Sequence, residues 1–431
     1  MSFSVENIEY RPLTSVLKFI VDNRGKTAPT SDTGIPLIAT NCIKDNELYP
    51  VFEKVRFISE DTYNNWFRAH PIPGDIIFVN KGTPGRVCLV PDPVNFCIAQ
   101  DMMAFRVDED IVDNKYLFAV LRSSQFQNQI VNYHVGTLIP HFKKGDLDKL
   151  LIPIPSMKIQ KIIGDYYFSI CNRIELNNRM NKVLEQMAQA IFKQWFVDFE
   201  FPNENNEPYK SSGGEMIKSE VGMIPLGWEV SNIESLTEII IDYRGKTPKK
   251  LGRNWSETGI IALSAKNIKN EGLVNLDQAN RVDEELYNLW MKDELKYGDI
   301  LLTSEAPLGE LYFKANDDKY CLSQRLFAIR ANSNAIIPEI LYMYLRTSEV
   351  MGEIVGRATG TTVTGIRQSE LRKVKVINPS SDIQARCQSL LSTVFKKKNV
   401  IEKENRKLIN VRNTLLPKLM SGEIDVSNIE L

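Results

Sequence analysis

No Cys-x-x-Cys pair occurs among the six cysteines, Cys42, Cys88, Cys97, Cys171, Cys321 and Cys387, and only His70, His134 and His141 are there to complete a metal site. Structural zinc sites take their ligands in close pairs, so no bound metal is expected. No apolar run approaches the roughly 18 residues of a membrane span. The opening Met1-Ser2-Phe3-Ser4-Val5-Glu6 has neither the basic nor the apolar segment of a secretion signal. The expectation is a cytoplasmic protein without membrane contact. An excess of one charge is missing too: the net charge is −1, so any nucleic-acid binding has to come from local patches. What remains is 431 residues at 43% hydrophobic and 25% charged, a globular composition with room for two to four domains.

What is there is a repeat. Asp22-Asn23-Arg24-Gly25-Lys26-Thr27 returns as Asp242-Tyr243-Arg244-Gly245-Lys246-Thr247, and Gly74-Asp75-Ile76 returns 224 residues later as Gly298-Asp299-Ile300. The same offset of 224 relates Cys97-Ile98-Ala99-Gln100 to Cys321-Leu322-Ser323-Gln324, Tyr116 to Ile340, Gly136-Thr137 to Gly360-Thr361, and Ile159-Gln160 to Ile383-Gln384. Each copy is domain-sized, which excludes a solenoid of repeats of about 20–50 residues and indicates a tandem pseudo-dimer. Cys97 and Cys321, equivalent and flanked by apolar residues, read as small buried hydrophobes.

Within the first copy, Ile35–Ala39, Asp75–Val79 and Ala104–Val107 read as strands bounded by Gly, Pro and Asp turn signals. Tyr116–Arg122 has helical spacing, and Leu150–Pro155 reads as extended, giving an α+β globule. From Ile159 to about Phe199 proline disappears and Gly164 is the only glycine. Ile163, Tyr167, Ile170, Ile174, Asn177, Asn181, Leu184, Ala188, Ile191 and Trp195 step by four and three, the coiled-coil seam spacing. At the same offset stand Cys387, Leu391, Val394, Lys398, Ile401, Asn405, Leu408, Arg412, Leu415 and Leu419, with Lys398 and Arg412 interrupting the seam. Asn181 and Asn405 occupy equivalent seam sites, where a buried asparagine fixes register. Each helix most economically pairs with the other. About 40 helical residues span about 60 Å, the length of a ruler.

Catalytic motifs are absent. A phosphate-cradling loop needs a glycine five residues before Gly-Lys-Thr, and Ile20 and Ile240 stand there. A metal-dependent nuclease needs a second carboxylate two residues before a lysine; Val79-Asn80-Lys81 has valine, and Asp299 with Glu305 lacks the lysine. Neither Asn378-Pro379-Ser380-Ser381 nor Asp92-Pro93-Val94 is an amino-methyltransferase motif.

The repeated polar loops are the candidate contacts. Arg24, Lys26 and Thr27, with Arg244, Lys246 and Thr247, put cations and a hydroxyl on a glycine turn, suited to phosphate oxygens or, alternatively, merely solvated. Other loops keep their place but change side chains: Lys81 and Arg86 stand against Glu305 and Glu310, and Thr137, His141 and Lys143 stand against Thr361, Thr362 and Arg367 in loops of matching position. Two readers of different base sequences need this, since such side chains contact base edges; drift after duplication produces the same pattern. Lys266 completes the set.

Two globules, each entered through D-x-R-G-K-T and followed by a long helix, resemble the specificity subunit of type I restriction-modification enzymes. The junctions Ile191–Phe199, Gly222–Trp228 and Leu415–Val426 carry the likeness over essentially the whole chain. The resemblance implies two tandem mixed α/β target-recognition domains, 1–157 and 224–379, joined by long antiparallel coiled-coil helices at 158–200 and 380–431, with a linker at 201–223 and pseudo-two-fold symmetry. It implies helix pairing through Asn181, Leu184, Trp195, Asn405, Leu408 and Leu415, and double-stranded DNA read in two halves across a spacer set by the helices. Further implied partners are two modification (methyltransferase) subunits and restriction/translocase subunits, which hold S-adenosylmethionine, ATP and Mg while this chain binds no cofactor and has no catalytic residue. A stand-alone DNA-modifying enzyme and a coiled-coil scaffold are the competing readings.

Overall fold

The computed structural model describes residues 8–23, 26–133, 140–270, 272–360, 364–421, 423, 424 and 426. The chain divides into two compact units, Met1–Met180 with Glu402–Leu431, and Asn181–Ile401. In the first unit, antiparallel strands lie in the order Leu17–Asp22, Met102–Val107, Ile76–Val79, Val87–Leu89. Side chains alternate along a strand: Ile77, Val79, Cys88 and Ala104 face a core shared with a second sheet, Arg56–Ile58, Ile35–Ile38 and Cys97–Ile98. Ile76, Phe78, Val87 and Phe105 face another core, with Tyr116 and Phe118 of helix Asn114–Arg122. Both faces are covered, which is why Ile76–Val79 reads as an unbroken apolar run.

The second unit repeats the plan: Thr237–Asp242, Leu326–Ala331, Ile300–Ser304 and Leu308–Phe313 form its four-stranded sheet, and Arg281–Val282, Ile260–Leu263 and Tyr320–Leu322 its three-stranded one. The α+β globules expected from the repeat are present. Gly74 and Gly298, at φ +86° and +88°, turn the chain into the central strand of each unit. The aspartate that follows caps its own turn and clamps an arginine on the neighbouring strand, Asp75 with Arg106 at 3.0 Å and Asp299 with Arg330 at 2.8 Å.

The seam residues form helices Met157–Phe192, which runs on into a π-helical turn Lys193–Val197, and Ser381–Met420. In the first unit Tyr167 and Cys171 share a core with Leu416, Arg173 Nε donates to Glu404 at 2.9 Å, and Asn177 donates to Asn405 at 2.9 Å. In the second, Ala188, Phe192 and Trp195 share a core with Cys387, Leu391 and Val394, and Lys398 pairs with Glu185. Rising numbers on one helix meet falling numbers on the other in both units, so the pairing is antiparallel in each. Asn405 makes its hydrogen bonds to Asn177 and Asn178, at 2.9 and 2.8 Å, while the buried Oδ1 of Asn181 has no partner among the described residues. Leu184 packs at the edge of its core, and Leu408 and Leu415 are half-buried.

Two expectations change. Contacts give each unit stretches of both long helices, so the helices are parts of the two cores and not segments of their own. Residues 201–223, read as a linker from their polar composition, carry Phe201 and Tyr209 stacked with ring centroids 4.5 Å apart, and Phe201 stacks on Trp228 at 5.2 Å. A hairpin, Met216–Ser219 with Gly222–Pro225, completes a folded segment of the second unit. Each long helix is tied to its globule by an equivalent glutamine: Gln160 Oε1 accepts from the Asp113 amide at 2.8 Å, and Gln384 Oε1 from the Ile337 amide at 2.9 Å.

Lys398, which interrupts the seam in sequence, is reconciled by Glu185, whose carboxylate also pairs with Arg346. Burial opposes the charge on Glu185, but Lys398 and Arg346 outweigh it and hold the carboxyl below its ordinary 4.5. A depressed carboxylate stabilises above its unfolded pKa and loses that stabilisation as pH falls through the folded value. Glu185→Ala is therefore expected to cost the second unit about 3–5 kcal/mol at pH 7 by leaving two cations unpaired, and less at pH 3. Urea denaturation at both pH values checks this; equal losses at both would refute the ion-pair account.

Candidate nucleic-acid interface

In each unit one end of the four-stranded sheet collects the chain reversals. The register pairs Asp22 with Met103, Val79 with Met102 and Phe78 with Val87, so the segments after Asp22 and Val79 and those before Val87 and Met102 leave from the same end. Cross-links hold them there. The Asn23 side chain donates to the Ile98 carbonyl, Gln100 donates to the Thr27 hydroxyl at 3.3 Å, the Phe142 amide donates to the Asn80 carbonyl at 2.7 Å, and Lys81 lies opposite His141. Lys26, Thr27, Lys81 and His141 are thereby gathered at one edge. Lys143 is exposed beside them, Lys144 pairs with Asp22 at 2.8 Å, and Arg86 pairs with Asp45 at 3.1 Å.

The second unit uses the same frame. Glu305 lies opposite Gly365, 224 residues on from Lys81 and His141, and the Ile366 amide donates to the Ser304 carbonyl at 3.0 Å. Its charges differ. Lys81 meets Asp101 at 3.8 Å, whereas the equivalent Glu305 meets Arg325 at 3.4 Å. One ion pair is thus kept at two equivalent places with its polarity reversed, all four side chains at least a third exposed. Arg325, at φ +63°, is a residue the sequence reading missed; it sits one residue after the repeated Cys321–Gln324 block, which was the available signal.

The repeated Arg-Gly-Lys-Thr has a different outcome. Arg244 donates through Nε and Nη2 to Asp242 at 2.8 and 2.7 Å, through Nη1 to the Ile366 carbonyl at 3.3 Å, and lies 4.0 Å from the Phe327 ring centroid. Lys246 Nζ donates to the Trp290 carbonyl at 2.6 Å, and burial, with Lys292 nearby, lowers its pKa. Thr247 accepts from the Lys250 amide at 3.3 Å. These side chains fasten the loop, leaving Lys266 and Arg367 as the exposed sequence-predicted cations of this unit. Arg24, Thr137, Thr361 and Thr362 lie outside the described residues.

Among the described residues no group of three His, Cys, Asp or Glu is placed to hold a metal ion. Burial pushes the Cys97, Cys321 and Cys387 thiols up to about 12, as inert small hydrophobes require. No helix is long and apolar enough to cross a membrane among the described residues.

Both long helices also expose apolar side chains away from the seam: Leu176, Met180 and Val411 in the first unit, Val183, Met187 and Val400 in the second. Leu176 and Val400 are 224 residues apart, as are Met187 and Val411. Leu176 with Val411 in one unit therefore corresponds to Val400 with Met187 in the other.

A profile of the type I restriction modification DNA specificity domain matches residues 6–186 and again 225–411. The type I restriction enzyme HindI specificity subunit of Haemophilus influenzae is 24% identical over 412 residues, covering 81% of this chain and 86% of its own. The MjaIX specificity subunit of Methanocaldococcus jannaschii is 24% identical over 359 residues, 83% of this chain and 79% of its own. Among solved structures, the type I restriction-modification S subunit from M. genitalium has a TM-score of 0.54 at 14% identity, with 97% of this chain and 99% of that one covered, a likeness of fold.

Proposed function

Because this chain belongs to the type I restriction modification DNA specificity domain family, we propose that it is the DNA-recognition subunit of a type I restriction-modification complex, each globule reading one half of a bipartite double-stranded target. The observation that carries this reading is the reversed ion pair, Lys81–Asp101 against Glu305–Arg325, on one frame. Identical scaffolds with exchanged donors and acceptors present different patterns to base edges, which is what two unlike half-sites require. Backbone positioning falls to exposed cations such as Lys26, Lys143, Lys266 and Arg367, and the paired helices set the spacer between half-sites. Methylome sequencing of cells with and without the chain tests this: a two-part motif with a fixed spacer is expected to vanish with the gene. An unchanged methylome, or loss of a single contiguous motif, would count against it.

Catalysis, on this reading, belongs to partners. Two methyltransferase subunits bring S-adenosylmethionine and restriction/translocase subunits bring ATP and Mg, all in the cytoplasm, while this chain supplies no reacting group. The equivalent exposed pairs Leu176/Val411 and Met187/Val400 support two docking sites of the same kind, since hydrophobic anchors dominate such interfaces. Changing Leu176 and Val411 together to Asp is expected to reduce the bound methyltransferase from two copies to one, read as the mass of the assembled complex. Retention of two copies would remove these residues from the interface.

A further inference from the structure

The first unit contains a cavity of about 400 Å³, lined among others by Arg86, Arg122, Ser123, Gln127, Tyr167 and Arg412, within the size range of small-ligand pockets. Arg412 is only 6% exposed. Its Nη2 donates to Asn46 at 2.8 Å and its Nε to Asn413 at 3.1 Å, but its Nη1 finds no acceptor among the described residues. Arg122 is half-buried: Nη2 donates to the carbonyls of Glu47 and Val87, the guanidinium lies 4.5 Å from the Phe118 ring centroid, and its buried Nη1 finds no acceptor among the described residues. Tyr167 lines the same cavity, and both arginines act on its phenol, Arg122 also as a hydrogen-bond partner. The acid on the wall, Asp45, is taken by Arg86, and the nearby Glu47 carboxylate accepts from Asn178 at 3.4 Å.

The repeat supplies a comparison inside the same molecule. Arg346 is the equivalent of Arg122, and there the cation is neutralised from within by Glu185. At the offset of 224, Glu185 becomes Ile409, so the first unit has no counterpart of that acid, while Ala188 becomes Arg412, a second cation. One unit is closed by its own carboxylate; the other sets two guanidinium groups beside an open space, with Glu47 acting on Arg122 from outside the cavity lining. Buried guanidinium N–H groups without an acceptor are costly, and planar guanidinium forks match the paired oxygens of an oxyanion.

We propose that this cavity binds a phosphate-class oxyanion between the guanidinium groups of Arg122 and Arg412. The site stands apart from the DNA-recognition reading and survives its failure. The oxyanion comes either from a free phosphate compound or from the DNA backbone.

The full chain is heated in inorganic phosphate and in chloride at equal ionic strength. Phosphate at roughly 100 times its Kd is expected to raise the unfolding midpoint by about 5–10 °C over chloride, and Arg412→Met is expected to lose that response. Ile409→Glu, which carries the second unit's acid into the first and keeps both arginines, is expected to unfold higher without phosphate and to respond no further. If the wild-type chain shows no phosphate-specific rise, or if both variants keep it, the proposal is overturned and the cavity holds only water. Addition of duplex DNA separates the sources: loss of the phosphate response in its presence assigns the site to backbone phosphate, and an undiminished response assigns it to a free compound.

Discussion

Exchanging the charges of one ion pair, Glu305→Lys together with Arg325→Asp, is expected to change the recognised sequence in one half-site and leave the other untouched. The exchange copies onto the second unit the arrangement the first already has, Lys81 with Asp101, so the pair itself survives and the fold has no reason to fail. Aspartate also enters the left-handed backbone at position 325, φ +63°, more readily than arginine does. Both side chains are about half exposed, so the pair contributes little to stability and the effect falls on recognition. A good base contact discriminates by about 1–3 kcal/mol, which corresponds to about a 5- to 150-fold loss of methylation at the original sites. Methylome sequencing of the variant reads the result directly. Identical motifs before and after exchange would exclude these residues from base contact, and a uniform loss at every site would identify them as backbone contacts instead.

The fold was legible wherever the chain repeats a physical requirement. Both faces of the central sheets are covered, so Ile76–Val79 had to be an unbroken apolar run; the helices pair along one stripe, so the four-three spacing placed Ile163, Tyr167, Ile174 and Leu391 in cores where they are found. Roles were harder to read than places. Arg244 looked like a free phosphate ligand, yet the acceptor that occupies it stands two residues earlier in the same motif, Asp242, and a rigid turn brings the two together. The linker reading failed for a related reason: Phe201, Tyr209 and Trp228 are spread through polar residues, and only the folded chain stacks them. Composition averages over a segment, while burial selects single side chains within it. Lys398 and Arg412, two apparent faults in one seam, proved to differ because their partners lie far away in sequence: Glu185 neutralises the first, and Asn46 satisfies the second only in part.

Asp299→Ala is expected to destabilise the second unit by about 3–5 kcal/mol, the cost of leaving a buried charge uncompensated. The Asp299 carboxylate is fully buried and accepts from the Lys296 amide at 2.8 Å and from Nε and Nη2 of Arg330, each at 2.8 Å. Arg330 is 12% exposed and keeps, among the described residues, the Glu294 carbonyl at 2.7 Å as its hydrogen-bond acceptor once the carboxylate is gone, with Glu238 and Asp293 acting on it only at longer range. Asp75→Ala removes the same cap and clamp from the first unit, but Arg106 is 29% exposed and reaches water, so a cost of about 1–3 kcal/mol is expected there. The asymmetry is the test of cause. If loss of the turn cap dominated, the two substitutions would cost the same, because both aspartates cap their turns alike. Tryptophan fluorescence in urea distinguishes them, since Trp195, Trp228, Trp255 and Trp290 belong to the second unit and Trp66 to the first. Replacing Arg330 by Met in the Asp299→Ala background is expected to recover much of the loss, because an apolar pair avoids the desolvation that the ion pair has to offset. Failure of that rescue would mean that the carboxylate acts through its backbone cap, and the clamp would then be incidental to the stability of the sheet whose loops form the candidate interface.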